Sequence, residues 1–280
     1  MTSFLFPAPA KINLFLHVVG QRADGYHLIE SVFAPVAFGD FVSLTPTDNG
    51  VISRVRAVDN IPEETDLTLR AARLLQKAAS VKSGVIVSLT KNIPIGSGLG
   101  GGSSDAATVL LALNRLWGIG YSRAQLSELA LELGADVPFF IGGTPAFVSG
   151  IGEQLTPVSL PARWIAMVFP QVIVPTSTIF ASKDLTRDSA KEKIAAFAMG
   201  HGKNDLEPVA ESRHSVIKDA RLYLKQHAQN ARMSGSGSAV FAVFDDPNVA
   251  RDALVDLESP FLGVVTRILN RHPLIKWELR

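Results

Sequence analysis

Cysteine is absent from this 280-residue chain, and the charges nearly balance, with 27 lysines and arginines against 26 aspartates and glutamates. The lack of cysteine excludes disulfide bonds and thiolate metal sites, and it fits a reducing compartment such as the cytoplasm. A net charge of +1 argues against a nucleic-acid-binding surface, which usually carries a strong basic excess. We therefore expect no disulfide framework and no nucleic-acid partner.

Several other signals are missing. No stretch is apolar for long enough to span a bilayer, so we expect no membrane span. Pro7, Pro9 and Lys11 interrupt the apolar residues 1–19, and no basic region precedes them, which argues against a signal peptide. The six histidines lack metal-ligand spacing, and no Gly-x-Ser-x-Gly elbow occurs. A histidine-bound metal and a serine hydrolase of that type are therefore disfavoured.

The composition is that of a globular protein with a sizeable core, since 47% of the residues are hydrophobic and 19% are charged. The length suits one large domain or two modest ones. A stretch rich in proline and polar residues, 156–163, predicts the boundary between domains at 1–157 and 158–280. Strands and helices mix without regular βαβ alternation, which favours an α+β fold over a doubly wound parallel sheet.

Hydrophobic periodicity and turn signals predict the elements of this fold. The predicted strands cover residues 10–19, 28–36, 41–44, 85–89, 164–169, 239–244 and 264–268. The predicted helices cover residues 65–79, 105–117, 122–134, 190–199 and 206–226. We expect Ser103 or Ser104 to cap the second helix and Gly118 to end it. The side chains expected on the buried face of the first helix are Leu67, Ala71, Leu74 and Ala78.

The glycine-rich segment 94–104 carries the most information. Five of the seven positions from Gly96 to Gly102 are glycine, so the backbone can turn tightly and bring N–H groups against a ligand. The helix that follows adds free N–H donors and a positive dipole end at the same point. We predict a phosphate site, with a flexible turn as the alternative. Its residues are Pro94, Ile95, Gly96, Ser97, Gly98, Leu99, Gly100, Gly101, Gly102, Ser103 and Ser104.

Two nucleotide motifs do not match this segment. A P-loop ends in Gly-Lys-Ser/Thr, and no lysine lies in or just after the segment. A dinucleotide fingerprint needs an acidic residue at a strand end about 20 residues later. Glu128 and Glu132 lie at roughly that distance, but inside a predicted helix. On the segment alone, a nicotinamide-dependent oxidoreductase stays an alternative.

Three further segments carry chemistry-bearing residues. Lys11 and Asn13 share one face of strand 10–19, which is either solvated or directs a cation and an amide into a cleft. Asp136 lies between apolar neighbours after the helix stop at Gly134, so it is either a turn residue or a general base that a cation such as Lys11 would keep ionised. The small-residue loop 232–238 is either a hairpin turn or a second backbone wall around a polyphosphate.

Together these segments resemble the GHMP kinases, a family named after galactokinase, homoserine kinase, mevalonate kinase and phosphomevalonate kinase. The order of motifs is the same: a lysine-bearing strand, a central Pro-x-Gly-x-Gly-Leu-Gly-Gly-Gly-Ser-Ser loop and a C-terminal Ser-Gly-x-Gly loop. The more specific matches are Pro-Ala-Lys-Ile-Asn-Leu at 9–14, Arg-Ala-Asp-Gly-Tyr-His at 22–27, Gly-Ala-Asp-Val-Pro-Phe at 134–139, Asn-Asp-Leu-Glu at 204–207 and Met-Ser-Gly-Ser-Gly at 233–237. These point to the members of the family that act on a cytidine-diphosphate-linked polyol.

The resemblance implies two α+β domains with the active site in the cleft between them. ATP, with Mg²⁺, would lie along segment 94–104, and its γ-phosphoryl group would pass to the 2-hydroxyl of the erythritol part of the substrate. Asp136 would be the catalytic base and Lys11 its partner. The metal ligands stay open among Ser103, Ser104, Asp136, phosphate oxygens and water. The partners are small molecules, and the expected state is a monomer or weak homodimer.

The resemblance also assigns the two ends of the site. Asn13 and His27 would hydrogen-bond the cytidine end of the substrate. Tyr26 would stack on the cytosine with Phe180 as the opposite wall, unless Phe180 is plain core. Lys91 and position 66 lie near the adenine pocket in this family, but Asp66 stands where the family has asparagine, which puts that contact in doubt.

Two alternatives to this function stay open at the level of sequence. One is another GHMP kinase, of the homoserine or mevalonate type. The other is a nucleotide-binding protein without catalysis. Tyr26 and His27 disfavour the first, and the presence of both Lys11 and Asp136 disfavours the second.

Overall fold

The computed structural model describes residues 2–57, 61–191 and 202–277. Its strands are β1 Phe4–Gln21, β2 His27–Thr47, β3 Ile52–Arg54, β4 Gly84–Thr90, β5 Ala146–Ser149, β6 Gln154–Pro157, β7 Trp164–Phe169, β8 Arg232–Met233, β9 Val240–Phe244 and β10 Leu262–Arg267. Its helices are α1 Leu67–Ala78, α2 Gly101–Leu116, α3 Arg123–Ala130, α4 Val137–Gly142, α5 Thr176–Phe180, α6 Glu207–Arg213, α7 Ser215–Lys225 and α8 Pro247–Asp252. No helix within these ranges has both the length and the hydropathy to traverse a lipid bilayer.

Two sheets organise the chain. The first has six strands in the order β3-β4-β2-β5-β6, with β1 paired to β2 in antiparallel register from Phe4–Leu44 to Gln21–His27. The second has four antiparallel strands in the order β10-β7-β9-β8. The register of β1 shifts just after Pro9, which has no N–H to donate to a regular ladder, and again after Asn13. These shifts break the strict alternation of faces in the segment that carries Lys11.

Among the described residues, three large apolar layers hold the sheets and helices together. The first packs α1 to α4 on the six-stranded sheet, and it buries α2 continuously from Ser104 to Asn114. The second packs α6, α7 and α8 on the four-stranded sheet. The third lies between the sheets and joins Ile12 and Val36 to Met167 and Phe241. The two halves of the chain are therefore fused through strands β1 and β2.

Most predicted elements are present, and strand 164–169 has the predicted bounds. The prediction of separate strands at 28–36 and 41–44 is wrong, because β2 runs through both. Asp40 lies in the middle of β2 and is buried, since its carboxylate is an ion-pair partner of Lys91. The predicted helix 206–226 is also wrong as one unit, because His214 has extended backbone angles and divides it into α6 and α7. The predicted helix 190–199 falls almost entirely outside the described residues.

Helix ends follow local chemistry in some places and tertiary contacts in others. Ser122 and Gln125 form a capping box at the start of α3, which ends at Ala130 and not at residue 134 as predicted. The prediction of a serine cap on α2 is wrong: the helix begins at Gly101, Gly100 is its N-cap, and the Ser104 hydroxyl donates to the Pro9 carbonyl at 2.7 Å. In α1, Ala78 is exposed, contrary to prediction. The buried side chains of that helix are Thr68, Leu69, Ala71, Ala72 and Leu75.

The glycine-rich segment docks on the loop between β8 and β9. The amide of Ser238 donates to the carbonyl of Gly96 at 3.2 Å, and that of Ala239 donates to Ser97 at 3.0 Å. Gly98 has φ of +74°, and a Cβ atom there would lie 2.2 Å from the carbonyl oxygen of Ser234. Only glycine therefore permits this approach of the two backbones.

We expect Gly98→Ala to lower the free energy of unfolding by more than Gly118→Ala. Both positions have positive φ, so each alanine costs about 1 kcal/mol in backbone conformation, but only Gly98 adds a steric overlap worth about 1–3 kcal/mol. Gly118 is the matched control, since it has φ of +67° and a Cβ added there would meet no atom within 4 Å. Chemical denaturation measures both values, and equal losses would contradict the close docking of the loops.

Candidate active site

A cavity of about 1060 Å³ opens between the two halves of the chain. Its wall includes Lys11 and Asn13 of β1, the segment from Pro94 to Ser103, and Asp136 at the start of α4. Tyr26, His27, Phe180 and Lys91 also line it. Of the residues predicted for the site, Ser104 alone lies outside the lining, because its side chain is buried against Pro9.

Lys11 and Asp136 meet in this cavity. The Nζ of Lys11 lies 3.6 Å from Oδ2 of Asp136, and their side chains are 5% and 33% exposed. Burial lowers the pKa of Lys11, and the negative charge of Asp136 opposes that shift. The burial of Lys11 and Asn13 excludes the solvated-strand interpretation. In this pair, a partly exposed carboxylate lies beside an ammonium group that is almost completely buried.

Side chains on two strands and one loop hold Lys11 in place. Its Nζ donates to Oδ1 of Asn13 at 2.6 Å and lies 4.2 Å from the centre of the Phe33 ring. The Nδ2 of Asn13 in turn donates to the Ser31 hydroxyl at 3.0 Å, and its backbone N–H donates to the Ser234 hydroxyl at 3.2 Å. Asn13 lines the cavity, but much of its amide is engaged in orienting the ammonium group.

The first turn of α2 lies next to this lysine. The backbone N–H of Lys11 donates to the carbonyl of Leu99 at 2.9 Å, which ties β1 to the glycine-rich segment. Gly100 has φ of +69°, and a Cβ there would come within 3.2 Å of Cγ of Lys11. The N–H groups of residues 101–103 precede the first intrahelical bond, which Ser104 makes to Gly100. A buried cation and a helix N-terminus thus converge on one point, where an anion is stabilised.

Lys91 belongs to a buried cluster of charges that sequence reasoning missed. Its Nζ donates to Oδ2 of Asp105 at 2.8 Å and to Asp40, whose other oxygen accepts the backbone N–H of Ile93 at 2.8 Å. Burial alone would lower the pKa of Lys91, but the two carboxylates together raise it. Burial raises the pKa of Asp105 to about 7, an effect that Lys91 opposes and Asp40 reinforces. No local pattern signals this cluster, because its members come from β2, α2 and the end of β4.

Rings and a guanidinium line the opposite end of the cavity. Tyr26 is 61% exposed, and the rings of His27 and Phe180 lie 5.0 Å apart, centre to centre. The Nε of Arg187 donates to Nε2 of His27 at 3.1 Å. Phe180 is therefore part of the cavity wall, although it also contacts the second apolar layer. Arg187 is another residue that the sequence analysis did not identify.

Asp66 has a structural role. It is the N-cap of α1, accepts the N–H of Thr68 at 2.9 Å and pairs with Arg54 at 3.2 Å. Its carboxylate is thereby engaged, and the cavity is lined instead by the neighbouring Leu67 and by Ile61. Asp66 is absent from the lining of the cavity, which agrees with the doubt about an adenine contact by an aspartate at this position.

The motif at 204–207 forms hydrogen bonds with the loop between β8 and β9. The Nδ2 of Asn204 donates to the carbonyls of Met233 and Gly235, both at 2.8 Å, and Glu207 accepts the N–H of Met233 at 2.7 Å. Gly235 and Ser236 then face the cavity. The loop is both the connection of the β8–β9 hairpin and a wall of the cavity, so the two interpretations of the sequence are compatible.

Sequence comparisons with known proteins identify the family of this chain. The family profiles described as "GHMP kinases N terminal domain" and "GHMP kinases C terminal" match residues 66–144 and 183–261. The 4-diphosphocytidyl-2-C-methyl-D-erythritol kinase of Cupriavidus necator is 50% identical over 273 residues, which cover 96% of this chain and 94% of that protein.

Solved structures agree with these sequence matches. A crystal structure of 4-(cytidine 5'-diphospho)-2C-methyl-D-erythritol kinase has a TM-score of 0.83 and 35% identity, covering 95% of this chain and 99% of its own. A homoserine kinase from Cytophaga hutchinsonii, 18% identical with a TM-score of 0.72 over 97% of this chain and 96% of its own, shares the fold. The predicted α+β fold is confirmed, and the chain belongs to the GHMP kinase family, in the group of the 4-diphosphocytidyl-2-C-methyl-D-erythritol kinases.

Proposed function

We propose that this chain transfers the γ-phosphoryl group of ATP to the 2-hydroxyl of 4-diphosphocytidyl-2-C-methyl-D-erythritol, a step in the non-mevalonate synthesis of isoprenoid precursors. The observation that carries the proposal is the Lys11–Asp136 pair, 3.6 Å apart beside the N-terminus of α2 in a cavity with rings at its other end. High identity to relatives of that name supports the choice of substrate.

Different residues of the cavity have different roles in phosphoryl transfer. The N–H groups of 101–103 and the helix dipole bind the phosphates, and Lys11 screens the charge on the transferred group. Asp136 accepts the proton of the substrate hydroxyl while the new O–P bond forms and the bond to the leaving ADP breaks. Such a reaction needs alignment and charge screening more than covalent help from the protein.

Mg²⁺ fits the oxygen ligands that this cavity offers. The partly exposed carboxylate of Asp136 and the hydroxyl of Ser103 line it, whereas the Ser104 hydroxyl is committed to Pro9. Throughout the described ranges, no three histidine, cysteine, aspartate or glutamate side chains cluster as a metal site would require. This suits a cation that keeps water and phosphate oxygens as ligands, and that screens the phosphate charge when bound.

The cytidine end of the substrate is assigned to the ring-lined end of the cavity. The cytosine stacks between Tyr26 and Phe180, and His27 and Asn13 contribute hydrogen bonds to this end of the substrate. Lys91 lies at the opposite end, where we place the adenine of ATP. We further propose that the protein works in the cytoplasm, as a monomer or weak homodimer acting on small molecules.

The decisive assay mixes the protein with ATP, Mg²⁺ and one alcohol at a time. We expect phosphorylation of 4-diphosphocytidyl-2-C-methyl-D-erythritol and little of homoserine or mevalonate, because only the first carries a base for the ring-lined end. Mass spectrometry identifies the product. Preferential phosphorylation of homoserine or mevalonate would assign another GHMP activity. No phosphorylated product with any of the three would favour a binding protein.

Asp136→Asn should lower kcat by about 10²–10⁴-fold, because the amide cannot accept the proton of the hydroxyl. ATP affinity should stay about the same, since the loop and helix that bind the phosphates are untouched. Asp245→Asn is the matched control, as Asp245 is exposed and its one ion pair among the described residues is with Arg163 at the surface. Steady-state kinetics and an ATP titration separate the two effects, and unchanged turnover would remove Asp136 from the role of base.

Tyr26→Ala should raise the KM for the cytidine substrate by about tenfold or more, because one stacked base is worth on the order of 1–3 kcal/mol. The KM for ATP should change little, since Tyr26 adjoins the start of β2, thirteen residues along that strand from Asp40, the partner of Lys91. Tyr26→Phe keeps the ring and should behave like the wild type. If both KM values rise equally in Tyr26→Ala, the base does not stack on this ring.

A further inference from the structure

Arg187 lines the cavity, yet almost all of its hydrogen-bond donors are used inside the protein. Its Nη1 donates to the carbonyl of Leu185 at 3.0 Å, and its Nη2 donates to those of Phe180 at 3.2 Å and Ser182 at 2.7 Å. Its Nε donates to His27 at 3.1 Å. Four of the five N–H groups of a guanidinium are therefore occupied. The guanidinium of Arg187 is held in the cavity wall, and one N–H group at most remains to bind a substrate phosphate.

The bond to His27 fixes the position of a proton. A guanidinium donates and does not accept, so Nε2 of His27 must be the unprotonated nitrogen. A neutral imidazole then carries its proton on Nδ1. Burial lowers the pKa of His27, and the charge of Arg187 lowers it further, which favours the neutral ring. Within the described part of the chain, Nδ1 has no hydrogen-bond partner, so its N–H is available to a ligand.

The same contacts orient the ring as well as its proton. Arg187 bonds to the backbone of Phe180 and to the side chain of His27, whose rings touch at 5.0 Å. One guanidinium thus joins the two walls that face the proposed base. Without it, His27 could rotate or exchange its two neutral forms, and the donor would no longer have a fixed direction.

We propose that Arg187 is a positioning residue that holds His27 as a fixed Nδ1–H donor and thereby makes the site select cytosine over uracil. Cytosine presents an unprotonated ring nitrogen, N3, that accepts this hydrogen bond. Uracil has a proton on N3, so two donors would face each other and both would be left unsatisfied. The inference rests on the proposed function, because it concerns the base of that substrate.

A spectroscopic test needs no substrate. Long-range ¹H–¹⁵N correlation spectra distinguish a protonated from an unprotonated imidazole nitrogen, and His27→Gln assigns the signal among the six histidines. In the wild-type protein near neutral pH we expect His27 with a proton on Nδ1 only. A charged ring, or a proton on Nε2, would overturn the proposal. This measurement stands even if the variants of Arg187 fail to fold.

A kinetic test separates positioning from a purely structural role. In Arg187→Gln, the ratio of kcat/KM between the cytidine substrate and its uridine analogue should fall by about tenfold, because the donor is no longer fixed. The KM for ATP should stay the same, and the His27 signal should become a mixture of the two neutral forms. Arg251→Gln is the control, since Arg251 is exposed and its side chain donates to Asn248 on the same helix, α8, outside the described lining of the cavity.

The outcomes distinguish the two proposals. If the wild-type protein does not phosphorylate the cytidine substrate, the proposed function fails whatever the state of His27. If it does, and a folded Arg187→Gln keeps the wild-type ratio, the positioning role of Arg187 fails and the function stands. A uniform loss of activity with both substrates and an unchanged ratio would mark Arg187 as structural only.

Discussion

The cavity is organised by one interaction: a buried ammonium group lies beside the positive end of a helix. Lys11 is almost without solvent, and the glycine-rich turn brings the start of α2 against its side chain. Two positive features at close range repel each other, and Asp136 and the amide oxygen of Asn13 oppose that repulsion. An anion at the same point would oppose it further, which is the role proposed for the phosphates of ATP.

The backbone makes this arrangement possible because two loops meet with almost no side chains between them. Carbonyls of Gly96 and Ser97 accept amides from the loop after β8, and Asn204 secures that loop from the other side. The surface proposed to bind phosphate is thus supported by hydrogen bonds between segments far apart in the sequence. These bonds hold its backbone in one arrangement, as phosphoryl transfer requires of the groups that screen charge.

The sequence predicted features that leave a local pattern. The glycine-rich segment, the strand with Lys11 and the position of Asp136 were found because each is an unusual residue type in a regular context. The predicted break between strands 28–36 and 41–44 is wrong, since a charged residue such as Asp40 in an apolar run indicates a turn until its partner Lys91, at the end of β4, is known. No local sequence pattern identifies Arg187, because its hydrogen bonds to three carbonyls and one histidine form only in the folded protein.

The layer between the sheets has a mechanical consequence. Pulling the halves apart would expose Ile12, Val36, Met167 and Phe241 to water, at about 1.5–3 kcal/mol for each side chain. A wide hinge opening between the two halves therefore has a high free-energy cost. Movement at low cost is left to the mouth of the cavity, where Tyr26 and its turn are exposed. Entry and release of the cytidine substrate would then need movement of this turn alone, while the packed layer beneath keeps donor and acceptor in line from one turnover to the next.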